Sequence, residues 1–558
     1  MKGFALLSVM FSAAIMSFCG LAAEEKPVLR IGAISDDHLD PAREETHRRT
    51  RACFELFRKM NVDVVVDTGD IADRSLTSEH RAFRAMFDEI FAGTGCVPFF
   101  CIANHDYNYV PNTKPNDPAN IESAWKALGM ESANPSATVR GYRFVNVFQN
   151  EPDKDALDKK VAQAVAENTE GLPIFVVNHV PPMQTTAWTG HWSSRAVRDV
   201  LNKYPQVVAL TGHNHASVRW SANIWQGEFT AVNLGAHAEY SNKIAGEAVV
   251  LDVFHDRIEV RRYEAVSGRQ IGADDLWTIP LPLDPMHGPY RPEVRAKSCP
   301  VPELPTSATL TYVQSDGDVA GRLEFTAAQP RRAAYAYRMK FESKDGDGSW
   351  KELRTLDWRV EQVMDAPETC TCQFPQAMLD AGRRHRVMIS PLNSLLVPGS
   401  GRTFEFDVPP GGLTELADPC VRIARRQYGS GRSGKEFAPD ADGWFQSRGT
   451  TLIVLPVEFT AAIKDRKDAT IVFDITSEQP KNPCTLSLGR FQRGKSAADM
   501  GLSPRIYTLP GDQVSQRYAW TIQPAGKSAL DSEDELCLVI REGDAFRCRI
   551  NSVKCYTR

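Results

Sequence analysis

Five short polar motifs in the first half of the sequence carry side chains that can bind metal ions. Their carboxylates, imidazoles and single carboxamide are ligands that hard and borderline metal ions prefer. The motifs are Ser35-Asp36-Asp37-His38, Gly69-Asp70-Ile71-Ala72-Asp73, Ala103-Asn104-His105-Asp106, Asn178-His179-Val180-Pro181 and Gly212-His213-Asn214-His215. These residue types predict a metal site.

The Gly-His-x-His motif at residues 212–215 is the most specific of the set. With 37 Gly and 12 His in 558 residues, chance alone gives about 0.02 copies of it. Asp-x-His and Asn-His are each weak signals when taken singly. Five of the twelve histidines fall inside the motifs, in a fixed order along the chain, and core packing does not explain that.

Each motif lies at or just past the end of a short apolar run that is typical of a buried strand. The runs cover residues 28–34, 62–67, 98–103, 174–178 and 207–211. Residues 42–60, 78–91 and 153–168 have helical spacing, and Pro41 is expected in the first turn of the first helix. Because the carboxyl ends of strands in an α/β sheet form a crevice, the motifs are predicted to meet there.

The pattern changes after residue 212, where runs at 229–234, 248–254 and 257–263 predict an antiparallel meander. A Pro-rich passage at 280–305 predicts a linker. Beyond it, alternating strands predict two all-β units. Residues 306–409 suit a small sandwich of the fibronectin type III kind, and residues 413–558 suit a jelly-roll-like sandwich.

The motifs and their order resemble those of the calcineurin-like metallophosphoesterases. That family has Asp-x-His, Gly-Asp, Gly-Asn-His-Asp/Glu, His and Gly-His-x-His, and the resemblance covers residues 28–263 or so. It implies an α/β fold, a four-layer α/β/β/α sandwich, followed here by the two all-β sandwich domains. Ala103 stands where the family has Gly. Because only a methyl group is added, we expect a local backbone adjustment and an intact site.

The resemblance also implies a dinuclear metal site. The ligands implied for the first ion are Asp36, His38 and His215, those for the second ion are Asn104, His179 and His213, and the implied bridge is Asp70. Related purple acid phosphatases have a Tyr where this chain has Asp73, so a charge-transfer ferric centre of their type is not expected. Mn, Fe and Zn all suit such ligands, which leaves the identity of the two ions open.

The activity that the resemblance implies is hydrolysis of phosphate esters. A hydroxide that bridges two metal ions about 3.5–4 Å apart attacks phosphorus in line. By resemblance His105 is the general acid that protonates the leaving group, and Asp106 orients its imidazole. Phosphate monoesters and diesters are both open. The alternatives are a nucleotide-directed phosphodiesterase and a non-catalytic binding protein on a metallophosphoesterase scaffold.

Other residues near the motifs are candidates for supporting roles. Asp73 either orients a ligand or caps the following helix. His237 and Arg195 are candidates for substrate binding. Trp188 and Trp192 either stack a nucleotide base or form a packed apolar lid.

The N-terminus predicts export from the cytoplasm. Lys2, an apolar stretch from Phe4 to Ala23 and small residues at its end are typical of a secretory signal peptide. An uncleaved anchor and a lipid-modified Cys19 are the alternatives. The mature protein is expected to be secreted, periplasmic or at the cell surface, and the eight cysteines of the second half suggest disulfide-stapled β-domains.

The predicted domains and partners follow from these observations. The units are a signal peptide at 1–23, the metallophosphoesterase domain at 24–292, the linker and first sandwich at 293–410 and the last sandwich at 411–558. A net charge of −5 shows no nucleic-acid platform, and no transmembrane segment is evident beyond the N-terminal one. The expected partners are a phosphate ester substrate and a glycan or cell-surface ligand, with Trp444 and Trp520 as possible sugar contacts. The basic run at 422–435 predicts a solvated loop, with a polyanion site as the alternative.

Overall fold

Two mixed sheets packed face to face form the first half of the protein in the structure, a computed structural model. It describes residues 25–557 apart from 147, 149–152, 169, 190–192, 238–245, 273–274, 315–319, 361–367, 410–413, 416–422, 429–431, 438, 448–449, 456–468, 479–483, 493–506, 510–514, 522–533 and 542–545. The predicted signal peptide, Trp192 and part of the basic run at 422–435 lie outside the described residues.

The strands and helices of this half confirm the strands predicted before the motifs and the three predicted helices. In chain order they are β1 Leu29–Ile34, α1 Glu44–Met60, β2 Val64–Asp67, α2 Thr77–Ile90, β3 Val97–Phe100, α3 Asn104–Tyr107, α4 Pro118–Ala127, β4 Ser136–Val139, β5 Tyr142–Asn146, α5 Lys154–Glu167, β6 Ile174–Val177, α6 Arg195–Leu201, β7 Val207–Thr211, β8 Ile224–Gln226, β9 Thr230–Asn233, β10 Glu247–Val253, β11 Arg257–Glu264, β12 Arg269–Ile271, β13 Trp277–Pro280 and α7 Pro292–Ser298.

The order of the strands brings the motifs to one edge of each sheet. The first sheet runs β12-β11-β10-β1-β2-β3, with β13 beside β11, and the second runs β4-β5-β6-β7-β9-β8. β1, β2 and β3 are parallel, and so are β5, β6, β7 and β9. Parallel neighbours end on the same side, so the motifs after β1, β2 and β3 meet at one edge, and those after β6 and β7 meet at another.

The alternation of core residues produces four layers. Val64 and Val66 of β2 pack between the two sheets, whereas Val65 packs with α1 and α2 on the outside. Phe175 of β6 faces the other sheet, whereas Val176 packs with α5 and α6. Because successive side chains of a strand point to opposite faces, continuous apolar strands require cover on both sides. The predicted α/β/β/α sandwich is confirmed.

The chain continues into a first all-β sandwich. Its strands are β14 Leu310–Gln314, β15 Ala320–Thr326, β16 Ala336–Lys344, β17 Trp350–Arg359, β18 Thr369–Pro375, β19 Arg384–Leu392 and β20 Arg402–Asp407. They form the antiparallel sheets β14-β15-β18 and β17-β16-β19-β20, whose inner faces share one apolar core.

A second all-β sandwich ends the described chain. Its strands are β21 Thr414–Glu415, β22 Ile423–Tyr428, β23 Arg432–Phe437, β24 Trp444–Ser447, β25 Thr450–Val454, β26 Thr470–Ser477, β27 Cys484–Gln492, β28 Tyr507–Leu509, β29 Gln516–Thr521, β30 Asp534–Arg541 and β31 Phe546–Thr557. One sheet runs β21-β31-β26-β29 with β24 beside β31, and the other runs β23-β22-β25-β30-β27-β28. Trp520 is fully buried in the core between them, which favours packing over the sugar contact considered for it.

Three expectations about elements are corrected. α1 begins at Glu44, so Pro41 precedes the helix by a short turn and does not lie in its first turn. β9 does not join a meander with β10, because it pairs in parallel with β7 in the second sheet. The passage predicted as a linker contains α7, which Arg295 fastens to the first half by donating to the carbonyl of Ser221 at 2.8 Å.

Two of the eight cysteines expected in disulfides form none in the structure. Cys299 and Cys370 carry free thiols, as do Cys53, Cys96 and Cys101 in the first half. Another of the eight cysteines, Cys420, lies outside the described residues.

Among the helices that the structure describes, none combines the length and the apolar composition needed to cross a bilayer.

Candidate metal centre

The backbone takes a left-handed conformation at five of the predicted ligands. The φ angles are 58° at Asp36, 44° at His38, 57° at Asp70, 69° at His213 and 52° at His215. For residues other than Gly this conformation costs about 1–3 kcal/mol and persists only where the surrounding structure imposes it. The structure around the strand ends therefore imposes this unfavourable conformation on the five residues.

Asp36, His38 and His215 form one group whose ligand atoms all lie within 4.8 Å of one another. Oδ1 of Asp36 is 3.0 Å from Nε2 of His215 and 3.8 Å from Nε2 of His38. The two imidazole Nε2 atoms are 3.3 Å apart. One oxygen and two nitrogens thus face a common point, and these residues are the ones that the resemblance assigns to the first ion.

Asp70, His179 and His213 form a second group within the same limit of 4.8 Å. Nε2 of His179 is 3.0 Å from Oδ2 of Asp70 and 3.1 Å from Nδ1 of His213. Asn104, at the start of α3, has a buried Oδ1 that accepts no hydrogen bond from any described residue. A buried carbonyl oxygen without a donor is costly in a folded protein, and a cation satisfies it.

The two groups adjoin, and their members come from different sheets. Oδ1 of Asp36 is 3.9 Å from Nε2 of His179, which links one group to the other. Asp36, Asp70 and Asn104 follow β1, β2 and β3 of the first sheet, whereas His179 and His213 follow β6 and β7 of the second. The site is therefore assembled across the boundary between the sheets.

The charges of the buried carboxylates and imidazoles are strongly coupled. Burial alone would raise the pKa of the Asp36 carboxyl, but His215 and His179 hold that pKa well below its usual range. Burial likewise opposes ionisation of Asp70, and His179 again lowers its pKa. Burial would lower the pKa of His38, but contacts with Asp36 and Asp73 raise it to about 10. The carboxylates are thus ionised and hold positive charge beside them.

These observations together fit a pair of bound cations. Two groups of deprotonatable ligands adjoin, one further acceptor is unsatisfied, and the carboxylates keep their negative charge in a buried site. Imidazole and carboxylate donors suit Mn, Fe and Zn alike. Binding of such ions displaces protons from the imidazoles, as is general for histidine ligands.

Short hydrogen bonds fix the direction of the Asp36 carboxylate. The hydroxyl of Thr68 donates to Ser35 Oγ, whose own hydroxyl donates to Oδ2 of Asp36. The backbone N–H of His213 donates to the same Oδ2 at 2.9 Å. The other oxygen of Asp36, Oδ1, faces the imidazoles of His38 and His215. Gly212 packs so closely here that a Cβ on it would lie 1.7 Å from Ser35 Oγ.

Asp73 orients a predicted ligand and does not cap α2. Its Oδ1 is 3.4 Å from Nδ1 of His38, on the side of the ring opposite the ligand nitrogen. The residue that precedes α2 is Leu76, three positions further on. A carboxylate on the second nitrogen of a histidine ligand fixes the ring and its tautomer. Of the two predicted roles of Asp73, the structure favours the first.

His105 stands beside the first group. Its ring centroid is 4.5 Å from that of His38. Nδ1 of His105 lies 3.0 Å from the backbone carbonyl of Asp73, and because a carbonyl only accepts, Nδ1 carries a proton. Nε2 is then the nitrogen that is available to exchange a proton with a substrate.

Asp106 does not orient the His105 imidazole, so that prediction is wrong. Oδ2 of Asp106 accepts from the backbone N–H groups of Asp70 and Ala103, and Oδ1 accepts from Ala72. Oδ1 also lies 3.0 Å from Nε2 of His80, a buried residue of α2 that the motif analysis missed. Asp106 therefore ties together the turns that hold Asp70 and Asn104. The fixed positions of those turns could not be inferred from the sequence.

Of the two candidates for substrate binding, His237 is buried and Arg195 is exposed. His237 is 1% exposed, and its Nδ1 lies 3.1 Å from the carbonyl of Glu247. Its backbone N–H donates to the carbonyl of Ser35, which ties the end of β9 to the end of β1. Arg195 is exposed in the first turn of α6, where Lys154 and, more weakly, Arg195 lower the pKa of Asp199. A role of His237 and Arg195 in substrate binding stays a prediction.

Trp188 packs against the first β-sandwich and is not free to stack a base. Its Nε1 donates to the Tyr335 hydroxyl at 2.7 Å, and the Arg359 guanidinium lies 4.3 Å from its ring centroid. The Trp220 ring packs on its edge at 4.7 Å. Ala187, the residue before Trp188, accepts from the side chain of Asn214, between His213 and His215. The sandwich is thus in contact with the loop that bears two predicted ligands.

Ala103 is accommodated without strain. Its φ of −137° and ψ of −167° lie in the extended region, which any residue adopts. The room for its methyl group comes from Gly69, because a Cβ on Gly69 would lie 2.7 Å from the Ala103 Cβ. Gly69 also has a φ of 116°, which favours Gly. The absence of a side chain on Gly69, which faces Ala103, therefore provides the space for the added methyl group.

Residues 29–217 match the family model described as calcineurin-like phosphoesterase. This part of the chain is similar to the calcineurin-like phosphoesterases, and the all-β sandwiches follow it. No curated protein matches the chain in sequence.

Solved structures similar to this chain include two phosphatases. A dimetal phosphatase from Danio rerio is 13% identical, covering 46% of this chain and 99% of its own, with a TM-score of 0.34. A purple acid phosphatase from yellow lupin (Lupinus luteus) seeds is 14% identical, covering 46% of this chain and 54% of its own, also at 0.34. A xylan-binding module is 16% identical, covering 26% of this chain and 96% of its own, with a TM-score of 0.21.

Proposed function

We propose that the protein is a secreted phosphoesterase that uses two metal ions to hydrolyse phosphate monoesters or diesters. The observation that carries the proposal is the pair of adjoining ligand groups, each with three ligand atoms within 4.8 Å, at the carboxyl ends of the two sheets. The match of residues 29–217 to the calcineurin-like phosphoesterase family supports the same class of chemistry. The apolar N-terminal stretch with Lys2 before it supports export.

The residues of the site have two roles, which are cation binding and proton transfer. Two bound cations would supply the nucleophile from water and neutralise charge on the phosphate. Asp36, His38 and His215 would hold one cation and Asn104, His179 and His213 the other, and Asp70 would contribute to both. His105, with Nδ1 bound to a carbonyl, presents Nε2 to the ester oxygen of the leaving group.

The direct test is metal-dependent hydrolysis of two artificial esters. We expect chelator-stripped protein to be inactive on p-nitrophenyl phosphate and bis-p-nitrophenyl phosphate, and manganese, iron or zinc to restore turnover of at least one. The ratio of the two rates distinguishes monoesterase from diesterase activity. Absence of turnover with every metal, despite two bound ions per chain, would contradict the proposal and favour the non-catalytic binding protein.

Replacing His105 by Ala is expected to slow esters with poor leaving groups most. An alkyl phosphate needs its leaving oxygen protonated and should lose on the order of 100- to 10,000-fold, whereas p-nitrophenyl phosphate should lose much less. The measurement is kcat/KM for both esters. His287→Ala is the matched control, because that side chain is 81% exposed and pairs only with Asp284 among the described contacts. Equal losses on both esters would show that His105 is not the proton donor.

A further inference from the structure

A cleft of about 410 Å³ opens beside His105, whose ring centroid lies 4.5 Å from that of His38. Its lining is mainly apolar and consists of Asp73, Arg74, Leu76, His105, Tyr109 and Pro111. A phosphate bound at the two ligand groups would have its ester oxygen next to His105. The part of the substrate beyond that oxygen then enters this cleft.

Two of the apolar side chains in the cleft are unusually exposed. Leu76 is 37% and Tyr109 is 52% exposed, and they belong to a set of only seven large apolar side chains that are this exposed in the described part of the chain. Exposed apolar surface that is concentrated in a concave site marks a place where an apolar group binds.

The Tyr109 ring is held in position before any substrate arrives. It lies 4.3 Å from the His105 ring at an interplanar angle of 32°. Ser75 fixes both residues, because its hydroxyl donates to the His105 carbonyl at 2.7 Å and accepts from the Tyr109 N–H at 2.8 Å. Ser75 is itself buried and has a left-handed φ of 59°. A fixed aromatic face of this kind loses little entropy when it binds a flat ligand.

The charge next to the cleft is already neutralised. Nη2 of Arg74 lies 3.0 Å from Oδ2 of Asp40, and its Nε lies 3.7 Å from Oδ2 of Asp73. The guanidinium therefore has carboxylate partners and adds little attraction for an anionic leaving group. The cleft suits an uncharged apolar group.

We propose that this cleft is the leaving-group subsite and that it selects phosphate esters of aromatic alcohols. The aryl ring lies against Leu76 and Tyr109 while His105 faces the bridging oxygen. This inference rests on the proposed function and adds a substrate class to it. Leu76 and Tyr109 are specificity-determining residues and take no part in bond cleavage.

The decisive variant is Leu76→Ala, because the hydrogen bonds described for Leu76 use only its backbone, with Glu79 and His80 of α2 as partners. We expect kcat/KM for phenyl phosphate to fall about 10-fold, mainly through KM, while that for ethyl phosphate changes less than about twofold. Met388→Ala removes a 41% exposed side chain in the first β-sandwich and is the matched control. Equal changes for both esters would overturn the proposal.

Binding of phosphonates keeps the inference testable if no ester is hydrolysed. For manganese-loaded protein, calorimetry should show tighter binding of phenylphosphonate than of methylphosphonate, and Leu76→Ala should abolish the difference. Turnover of ethyl phosphate without a preference for the phenyl compounds would retain the proposed function and exclude the aryl subsite. Absence of all turnover together with a phenyl preference would retain the subsite and exclude the proposed function.

Discussion

Asp70→Asn is expected to lower kcat/KM on the order of 100- to 1000-fold while the fold is retained, as is usual when one preorganised charge is lost from an active site. Asp70 is 2% exposed, with Oδ1 accepting from the His105 N–H at 2.8 Å and Oδ2 at 3.0 Å from His179. Asn has the same shape and keeps an oxygen for that N–H. It lacks the negative charge and the second oxygen that a bridge between two cations requires.

The measurements are kcat/KM, bound metal by mass spectrometry and circular dichroism. We expect fewer than two ions per chain with an unchanged spectrum. Asp256→Asn is the matched control, because that carboxylate is 71% exposed and pairs with Arg257. Full activity with two bound ions in Asp70→Asn would remove Asp70 from the bridging position.

Gly212→Ala is expected to have a comparably large effect, although it changes no ligand. The added Cβ would lie 1.7 Å from Ser35 Oγ and 2.5 Å from Oδ2 of Asp36, so the carboxylate must move. Displacement of a catalytic group by about 1 Å can cost about 100-fold in rate. Bound metal should fall together with activity, since Asp36 is in the first ligand group.

The same substitution at Gly346 provides the control, because a Cβ there meets nothing within 4 Å. Thermal unfolding separates the local effect from a general loss of stability. If Gly212→Ala retains two ions and normal turnover, then the hydrogen bonds from Ser35 and the His213 N–H do not fix Asp36, and the proposed arrangement of the first group is wrong.

The sequence was sufficient to locate the two ligand groups because each motif directly follows a strand. Position at a strand end and chemical type are local properties, and parallel pairing then brings distant motifs together. The continuous apolar run of β2 likewise predicted that both faces of its sheet are covered. In the structure Val64 and Val66 pack on one face and Val65 packs on the other. The added β-sandwiches followed from a different pattern, the alternation of apolar and polar residues along their strands.

Contacts made by polar side chains after the chain has folded could not be predicted in this way. Asp106 lies next to His105 in the sequence, yet its carboxylate points to backbone N–H groups of two other turns and to His80. Direction depends on backbone angles that the residue types do not reveal. Trp188 was ambiguous for a related reason, because its partner Tyr335 is 147 residues away.

The contact between Trp188 and the first β-sandwich has a consequence for how the chain can be divided. Tyr335 touches Trp188, which follows Ala187, and Ala187 receives the hydrogen bond from Asn214 in the loop of His213 and His215. The sandwich therefore supports the loop of His213 and His215 through Trp188 and Ala187. An excised first half would expose Trp188 and Trp220 to water and leave that loop unsupported, so we expect the smallest stable unit to include the sandwich.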